Sequence, residues 1–522
     1  MDLDQPIALI SVSDKTGVVD FARGLLGLGW KLISTGGTAV HLQQRGLQVE
    51  SVESFTDFPA IISGKVKTLH PKIFGSIMGD PEHPSEQEDI HTFGLQNIRM
   101  VIVNFYPFEK VMRENPEMSV VDAHHLIDIG GPALLRAAAK SLSKCLPIVD
   151  PEDYDSVLGW LQEGKRLDRD SLECLQLIHK VFVCTCNFDA QVSAFFASKI
   201  GIKSREAVMP LGFETVKNLR YGENPHQQAK LLAVAGHVSV DLKLHEARKK
   251  LSYNNILDLH YARRAVAVYP RGYVAVVLKH NNPCGVGHHL TSPQQALEKA
   301  LTADPQSAFG GILAMNFTVD HTLASLIKPL FVECLSAPEV TPEALKLIQE
   351  KKNLRILVEP VESLGLHSEL RQVGDYGYLL QGQDALVYGN RAQWKVASEK
   401  QPTPEQLDDL DFAFCVAARV KSNAIVLARH GQTIGIGAGQ MSRIDAVQFA
   451  LSKASGLGHV IRGAVLASDG FFPFGDCVEL AERHGIHAII QPGGSIRDQD
   501  SIEVANRAGI CLVMTGERHF MH

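Results

Sequence analysis

The 522-residue sequence lacks any apolar run near the roughly 20 residues that cross a bilayer, so no membrane span and no membrane partner is expected. It also lacks a basic-then-apolar leader: Met1-Asp2-Leu3-Asp4-Gln5-Pro6 is acidic, unlike a signal peptide. Paired cysteines are missing too. The nine cysteines, at 145, 174, 184, 186, 284, 334, 415, 477 and 511, are odd in number and include no Cys-x-x-Cys. This favours reduced thiols in a cytoplasmic setting and speaks against a structural zinc site. There is no basic excess, with 51 Lys and Arg against 58 Asp and Glu and a net charge of −7. Nucleic acid is therefore not an expected partner, and any anionic ligand must be met by locally gathered positive charge. Low-complexity tracts and short-period repeats are absent.

What remains is globular in composition, 45% apolar and 21% charged, and long enough for about three domains of ordinary size. The first segment alternates strand and helix patterns. Strands are expected at Ile7–Ser13, Trp30–Ser34, Arg99–Asn104 and Leu146–Val149, helices over Val18–Leu28 and from Thr35, and a long helix over Asp168–Ser198. Alternation of this kind implies a parallel sheet with ligand loops at its C-terminal edge. The sequence divides into an N-terminal domain over 1–198, a linker over 199–212 and a C-terminal domain over 213–522. The last has two sub-domains meeting near 355–400. Its strands are expected at Val274–Leu278, Gly311–Met315, Ala424–Ala428, Ala464–Ser468, Ala488–Ile490 and Ile510–Met514.

Tyr273-Val274-Ala275-Val276-Val277-Leu278-Lys279-His280-Asn281-Asn282-Pro283-Cys284-Gly285 is the most informative string. A buried strand ends there in a cation, an imidazole and two amides. Neighbours on an extended strand point to opposite faces. Lys279 and His280 can share a pocket only if the chain breaks, and Asn282-Pro283 with Gly285 reads as the break. A nearby lysine disfavours the imidazolium and keeps a neutral base available.

Four Gly-Gly pairs, at 36–37, 130–131, 310–311 and 493–494, allow backbone amides to face an anion. Thr35-Gly36-Gly37-Thr38 follows a strand and opens a helix, the layout of a phosphate site. Ser11-Val12-Ser13-Asp14-Lys15-Thr16-Gly17 has the same layout but not the Walker spacing, so no NTPase is read. Lys65-Val66-Lys67-Thr68-Leu69-His70 concentrates cations in a loop bounded by Gly64 and Pro71. Gly435-Ile436-Gly437-Ala438-Gly439 is not a dinucleotide fingerprint, since the third glycine comes too early and no acidic residue follows at the required strand end. NAD is not expected. Arg220-Tyr221 and Arg518-His519-Phe520 pair a guanidinium with rings, suited to phosphate and a flat heterocycle.

Together these strings, with Ile127-Asp128-Ile129-Gly130-Gly131-Pro132, Arg136-Ala137-Ala138-Ala139-Lys140, Ser307-Ala308-Phe309-Gly310-Gly311 and Phe471-Phe472-Pro473-Phe474, closely resemble one family nearly end to end. It is the bifunctional purine-biosynthesis family joining 5-aminoimidazole-4-carboxamide ribonucleotide (AICAR) formyltransferase to inosine monophosphate (IMP) cyclohydrolase. The resemblance implies an α/β protein, with a methylglyoxal synthase-like parallel-sheet domain followed by a transformylase of two cytidine deaminase-like sub-domains without zinc. It also implies a homodimer and 10-formyltetrahydrofolate as co-substrate, with potassium near Asp469.

For formyl transfer the resemblance implies Lys279, His280 and Asn423 as catalytic residues. Arg220, Tyr221, Ser307, Phe309, Gly310, Phe472 and Arg518 would bind the nucleotide. For ring closure it implies Lys67, Thr68, Tyr106, Asp128 and Lys140 as catalytic residues, and Ser11, Ser13, Lys15, Thr35, Gly36, Gly37, Thr38 and Lys65 as binding residues. Phe74, Ser76, Leu126, Ser141 and Cys184 depart from the family pattern. The alternative is a monofunctional transformylase whose N-terminal domain binds an effector.

Overall fold

Ile7–Val12 is apolar everywhere but Ser11, as a strand covered on both faces must be. It forms β1, the centre of a five-stranded sheet. The computed structural model describes residues 5–522 except 107, 116, 142–144, 166–170, 201–212, 235–243, 246–249 and 361–368. The chain divides into two compact units, Met1–Glu214 with Leu232–Ser239 and Thr215–Leu231 with Val240–His522. Residues 199 and 200 of the expected linker end a helix, and 201–212 lie outside the described residues.

In the first unit, β1, β2 (Lys31–Ser34), β3 (Glu50–Ser51), β4 (Ile98–Asn104) and β5 (Leu146–Ile148) lie in the order β3-β2-β1-β4-β5, all parallel. Chain order reverses between β1 and β4, and at such a switch point the loops leaving the strands part to form a crevice. The helices are α1 (Val18–Gly27), α2 (Gly36–Gln43), α3 (Val52–Thr56), α4 (Pro71–Met78), α5 (Gln87–Thr92), α6 (Phe108–Glu114), α7 (Val120–His124), α8 (Gly130–Lys140), α9 (Tyr154–Gln162) and α10 (Leu172–Ile200). Two cores flank the sheet. One is built with α3, α4, α8 and α10, the other with α1, α2 and α9.

β6 (Phe213–Asn218) and β7 (Lys230–Val234) form a separate two-stranded sheet. The second unit is built on twelve strands. They are β8 (Leu244–His245), β9 (Tyr273–Lys279), β10 (Asn282–His289), β11 (Gly311–Met315), β12 (Val332–Ala337), β13 (Arg355–Val358), β16 (Lys395–Val396), β17 (Ile425–Arg429), β18 (Gln432–Gly437), β19 (Val465–Ser468), β20 (Ala488–Gln491) and β21 (Cys511–Met514). β14 (Glu369–Gln372) and β15 (Tyr378–Gln381) make a separate hairpin between β13 and β16.

Outward from the central pair, one half runs β10-β9-β11-β12-β13-β8 and the other β18-β17-β19-β20-β21-β16. Strand senses match step for step, so the unit is an internal duplication. The helices repeat as well. α11 (Tyr253–Ala267) and α16 (Pro404–Ala417) cover one face of the sheet. The other face carries α12 (Pro293–Ala303), α14 (His321–Ile327) and α15 (Pro342–Ile348) in the first half. In the second half it carries α17 (Arg443–Gly456), α18 (Asp476–Arg483) and α19 (Asp498–Ala508). The short α13 (Pro305–Ala308) follows α12.

The halves meet where the buried Thr433 hydroxyl accepts from Val286 N at 2.9 Å, with a 2.7 Å bond from His288 N to Gly431 O beside it. Gly285 and Gly287 on β10 lie against the Ala300 and Ala296 carbonyls of α12. Gly435 and Gly437 on β18 lie against those of Ala450 and Ala446 on α17. A Cβ at any of the four would strike a helix backbone, so the Gly435-x-Gly437 string is a strand–helix packing device.

One expectation is corrected. Asn282 to Gly285 is not a break but the start of β10, because the reversal is completed one step earlier. His280 and Asn281 are the two residues of the turn, at φ 53° and 62°. Two successive left-handed residues make the tight turn whose twist suits a hairpin.

Candidate functional site

In the first unit, polar groups gather at the C-terminal ends of β1, β2 and β4. Thr35 sits at the N-cap of α2 but does not cap it with its side chain. Its hydroxyl meets that of Ser11 at 2.8 Å. The amides of Gly36 and Gly37 have no acceptor among the described residues. Free amides with the positive end of the helix dipole are what an anion needs. Thr38 Oγ1 bonds Val12 N at 3.2 Å and Val12 O at 3.0 Å, and Lys15 Nζ donates to Thr38 Oγ1 at 3.1 Å. Lys15 also donates to Val12 O. Burial pulls the Lys15 pKa down, with the neighbouring Asp14 opposing. Gly36 has φ 29°, and a Cβ there would lie 3.4 Å from Lys67 Nζ. A second cation thus stands over the helix start.

Thr68 is buried, and its Oγ1 stands 2.8 Å from where a Cβ on Gly130 would be. Asp128 Oδ1 accepts from Gly131 N at 3.0 Å, at the start of α8. Ser11, Lys15, Thr35–Thr38, Lys67, Thr68 and Asp128 thus line one edge of this unit. Ser13 joins them through Asn104, whose Oδ1 accepts from Ser13 N at 2.6 Å and Asp14 N at 2.9 Å. Asn104 was not singled out from sequence; its position as the last residue of a central strand was the available signal. Tyr106, just beyond β4, is 55% exposed, and Lys65 is exposed.

Lys140 is not part of this edge. It ends α8, ten residues beyond Gly130 and so about 15 Å along the axis at 1.5 Å per residue. Two departures from the family pattern serve packing. Ser76 Oγ accepts from Gln96 N at 3.0 Å, and Ser141 Oγ donates to Ile77 O at 2.7 Å.

In the second unit the hairpin turn brings the expected residues together. Lys279 Nζ donates to Phe309 O at 2.9 Å, and Gly310, at φ 76°, donates its amide to Phe331 O at 2.7 Å. Phe309 is 65% exposed. Ser307 N donates to Asp304 Oδ1 at 3.1 Å, and Lys453 pairs with Asp304 Oδ2 at 2.9 Å. Asn281 N donates to Asp258 Oδ1 at 2.8 Å from α11. Asn282 Oδ1 accepts from Lys421 N at 2.9 Å, which ties the turn to the segment bearing Asn423. Asn423 Nδ2 donates to Gln440 O at 2.9 Å, and its Oδ1 carries no hydrogen bond among the described residues.

The C-terminal tail runs alongside. Ser422 N donates to Met521 O at 2.9 Å and His519 N to Asp469 O at 3.1 Å, which places Arg518 at the same edge. Arg518 stands 4.8 Å over the Phe520 ring, and Arg220 5.0 Å over the Tyr221 ring. Arg220 N bonds Leu251 O at 2.9 Å and Tyr253 N bonds Tyr221 O at 3.2 Å, fixing that loop to the start of α11. A cavity of about 170 Å³ lies between the halves, lined in part by Pro283, Cys284, Ser307, Ala438 and Phe449. Burial holds the Cys284 thiol up at about 12, so it is no nucleophile.

One expectation fails here. Phe472 is fully buried in the core with α17 and α18, so it cannot line an open ring pocket; Phe471 and Phe520, 39% and 40% exposed, are the accessible rings. The Asp469 carboxylate is engaged by protein donors. Its Oδ1 accepts from Ala424 N at 3.1 Å and from Arg443, and its Oδ2 from the Ser422 hydroxyl. A guanidinium already supplies the positive charge. Sequence reading also passed over Asn255, whose Nδ2 donates to Glu333 Oε2 at 2.9 Å, one helical turn before Asp258. Asn255 and Asp258, three apart, share a face of α11.

Two unlike clusters, one of hydroxyls, lysines and free amides at a helix start and one around a lysine–histidine turn, mark a bifunctional α/β enzyme. The family described as "AICARFT/IMPCHase bienzyme" matches residues 138–453, and the "MGS-like domain" matches residues 17–133. The chain is 43% identical over 524 residues to the "Bifunctional purine biosynthesis protein PurH" of Enterococcus faecalis, covering 99% of each. It is 40% identical over 523 residues to the protein of that name from Aquifex aeolicus, covering 99% of this chain and 100% of the relative. The chain belongs to the AICARFT/IMPCHase bienzyme family.

Proposed function

We propose that the chain catalyses two consecutive steps of purine synthesis: formyl transfer from 10-formyltetrahydrofolate to AICAR, then dehydrative closure of formyl-AICAR to IMP. The observation that carries this reading is the two-residue turn in which His280 directly follows Lys279, whose Nζ reaches Phe309 O, within a chain matched end to end by bifunctional relatives. Residues 213–522 are assigned formyl transfer, 1–198 ring closure, and 199–212 the linker.

In formyl transfer the 5-amino nitrogen of AICAR attacks the formyl carbon. His280 takes the proton that nitrogen loses, and Lys279 stabilises the oxyanion. The bond from folate N10 to the formyl carbon then breaks, and N10 receives a proton. Asn423 offers its free amide oxygen to the substrate's amine or carboxamide N–H groups. Arg220 and Arg518 hold the phosphate. Ser307, Phe309, Gly310 and Tyr221 flank the nucleotide.

In ring closure the carboxamide nitrogen attacks the formyl carbon of the same molecule, and the formyl oxygen leaves as water. Being intramolecular, this step gains most from orientation. Ser11, Ser13, Lys15 and the Thr35–Thr38 segment hold the phosphate. Lys65, Lys67 and Thr68 face the oxyanion, Asp128 accepts the amide proton, and Tyr106 assists. Neither mechanism requires zinc, NAD or potassium.

We assign a homodimer as the working form and the cytoplasm as its compartment. The β14–β15 hairpin supports the first: nearly every residue faces solvent and Tyr376 is 96% exposed. A lone two-stranded ribbon is marginal in water and gains from a partner surface. Sedimentation of a monomer at working concentration would contradict it. All nine cysteines are free thiols, which supports the second. The function itself is tested by giving the purified protein AICAR with 10-formyltetrahydrofolate, and formyl-AICAR without folate. Turnover in both supports the reading. Closure no faster than the uncatalysed background would support the effector-binding alternative.

A further inference from the structure

The internal duplication supplies a twin for the lysine–histidine turn. In the first half Lys279 pairs with Asn282 across His280-Asn281. In the second, Arg429 pairs with Gln432 across His430-Gly431, again with both turn residues at positive φ, 51° and 69°. Each turn is met by an aspartate from the equivalent helix, Asp258 of α11 or Asp409 of α16. The two aspartates are used differently. Asp409 spends both oxygens on the turn, accepting from His430 N and Gly431 N at 2.7 Å each. Asp258 spends one, accepting from Asn281 N at 2.8 Å. Its Oδ2 carries no hydrogen bond among the described residues. A purely structural carboxylate would repeat the twin's pattern. Burial pushes the Asp258 carboxyl up and the Glu333 charge adds to that, while the Asn281 amide and the nearby His280 pull it back down.

We propose that Asp258 is a positioning residue for formyl transfer. Through Oδ1 it fixes the turn; with Oδ2 it orients the His280 imidazole and stabilises the positive charge that ring gains on taking the amine proton. No bond to Asp258 forms or breaks. A carboxylate behind a working imidazole is a recurrent arrangement, because it sets ring orientation and favours the charged form. The inference rests on the assignment of His280 as the proton relay.

The test compares Asp258→Asn with Asp409→Asn in the full chain, alongside His280→Ala. Asparagine keeps an acceptor for the turn amide and removes the charge. Asp258→Asn is expected to lower kcat for formyl transfer by at least about 10-fold with little change in the KM for AICAR, and to leave ring closure alone. With the anion gone and Lys279 still adjacent, the acid limb of the kcat–pH profile should move to lower pH. Asp409→Asn, which costs one of the two bonds to its turn, should lower Tm but leave both activities and that limb at wild-type values. Wild-type kcat and an unmoved limb in Asp258→Asn would overturn the proposal, as would equal losses in the two variants tracking equal losses of Tm. Retained formyl transfer in His280→Ala would instead overturn the assignment on which the proposal rests.

Discussion

Lys15 illustrates how a single side chain can be prepared for an anion. It donates to Thr38 Oγ1 and Val12 O, is partly buried, and still has a third proton for a ligand. Charge-assisted bonds of this kind are worth about 1.5–3 kcal/mol. Lys15→Met is therefore expected to raise the KM for formyl-AICAR in ring closure by about 10- to 100-fold, the factor that energy represents, with formyl transfer unaffected. Because burial lowers the Lys15 pKa, its charge is lost as pH rises through a value below the usual 10.5. The KM for ring closure should accordingly climb earlier on the alkaline side than an exposed lysine would allow. A KM unmoved by Lys15→Met would remove this residue from the cradle.

Elements set these residues in place, and the central devices are the strand glycines and a short helix. Gly437→Ala forces a Cβ into the Ala446 carbonyl, so a loss of about 1–3 kcal/mol or more is expected in urea denaturation. α13 is held by Asp304, which caps it through Ser307 N and reaches across to Lys453. Phe309 O, just beyond, holds Lys279. Lys453→Met should weaken formyl transfer, with Lys453→Arg restoring it. Burial alone would raise the Asp304 pKa, but the Ser307 and Lys453 bonds outweigh it and hold the carboxyl below 3.8. A carboxyl depressed on folding contributes stability that is present above its unfolded value and lost as pH falls through the folded one. The stability gap between wild type and Lys453→Met should therefore persist near neutral pH and close below about pH 4.

At this scale much was legible beforehand. β11 falls where its apolar run predicts, and the four strands expected in the first unit agree within a residue or two, though the two-residue β3 was missed. β10 and β18 were not read as strands because their glycines look like loops. Glycine is there for the close approach of a helix, a tertiary cause that no local pattern reports. Phe472 misled for the same reason: in Phe471-Phe472-Pro473-Phe474 nothing local says which ring faces the core. Asp258 and Asn104 were invisible as lone polar residues until the fold carried them to a strand end.

On the scale of the whole molecule, two units of different topology carry two centres of different chemistry. The first is a parallel sheet whose switch point gathers hydroxyls, lysines and free amides. The second is a duplicated sheet in which only one of two matching turns holds a lysine beside its histidine and leaves a carboxylate oxygen free. Separate centres predict separable losses. The most direct test is to measure both half-reactions in His280→Ala. Formyl transfer should fall by about 10²–10⁴-fold, the usual contribution of one acid–base group, while closure of supplied formyl-AICAR proceeds at the wild-type rate. Equal loss of the two rates in a variant that remains folded, or formyl transfer at the wild-type rate, would contradict it.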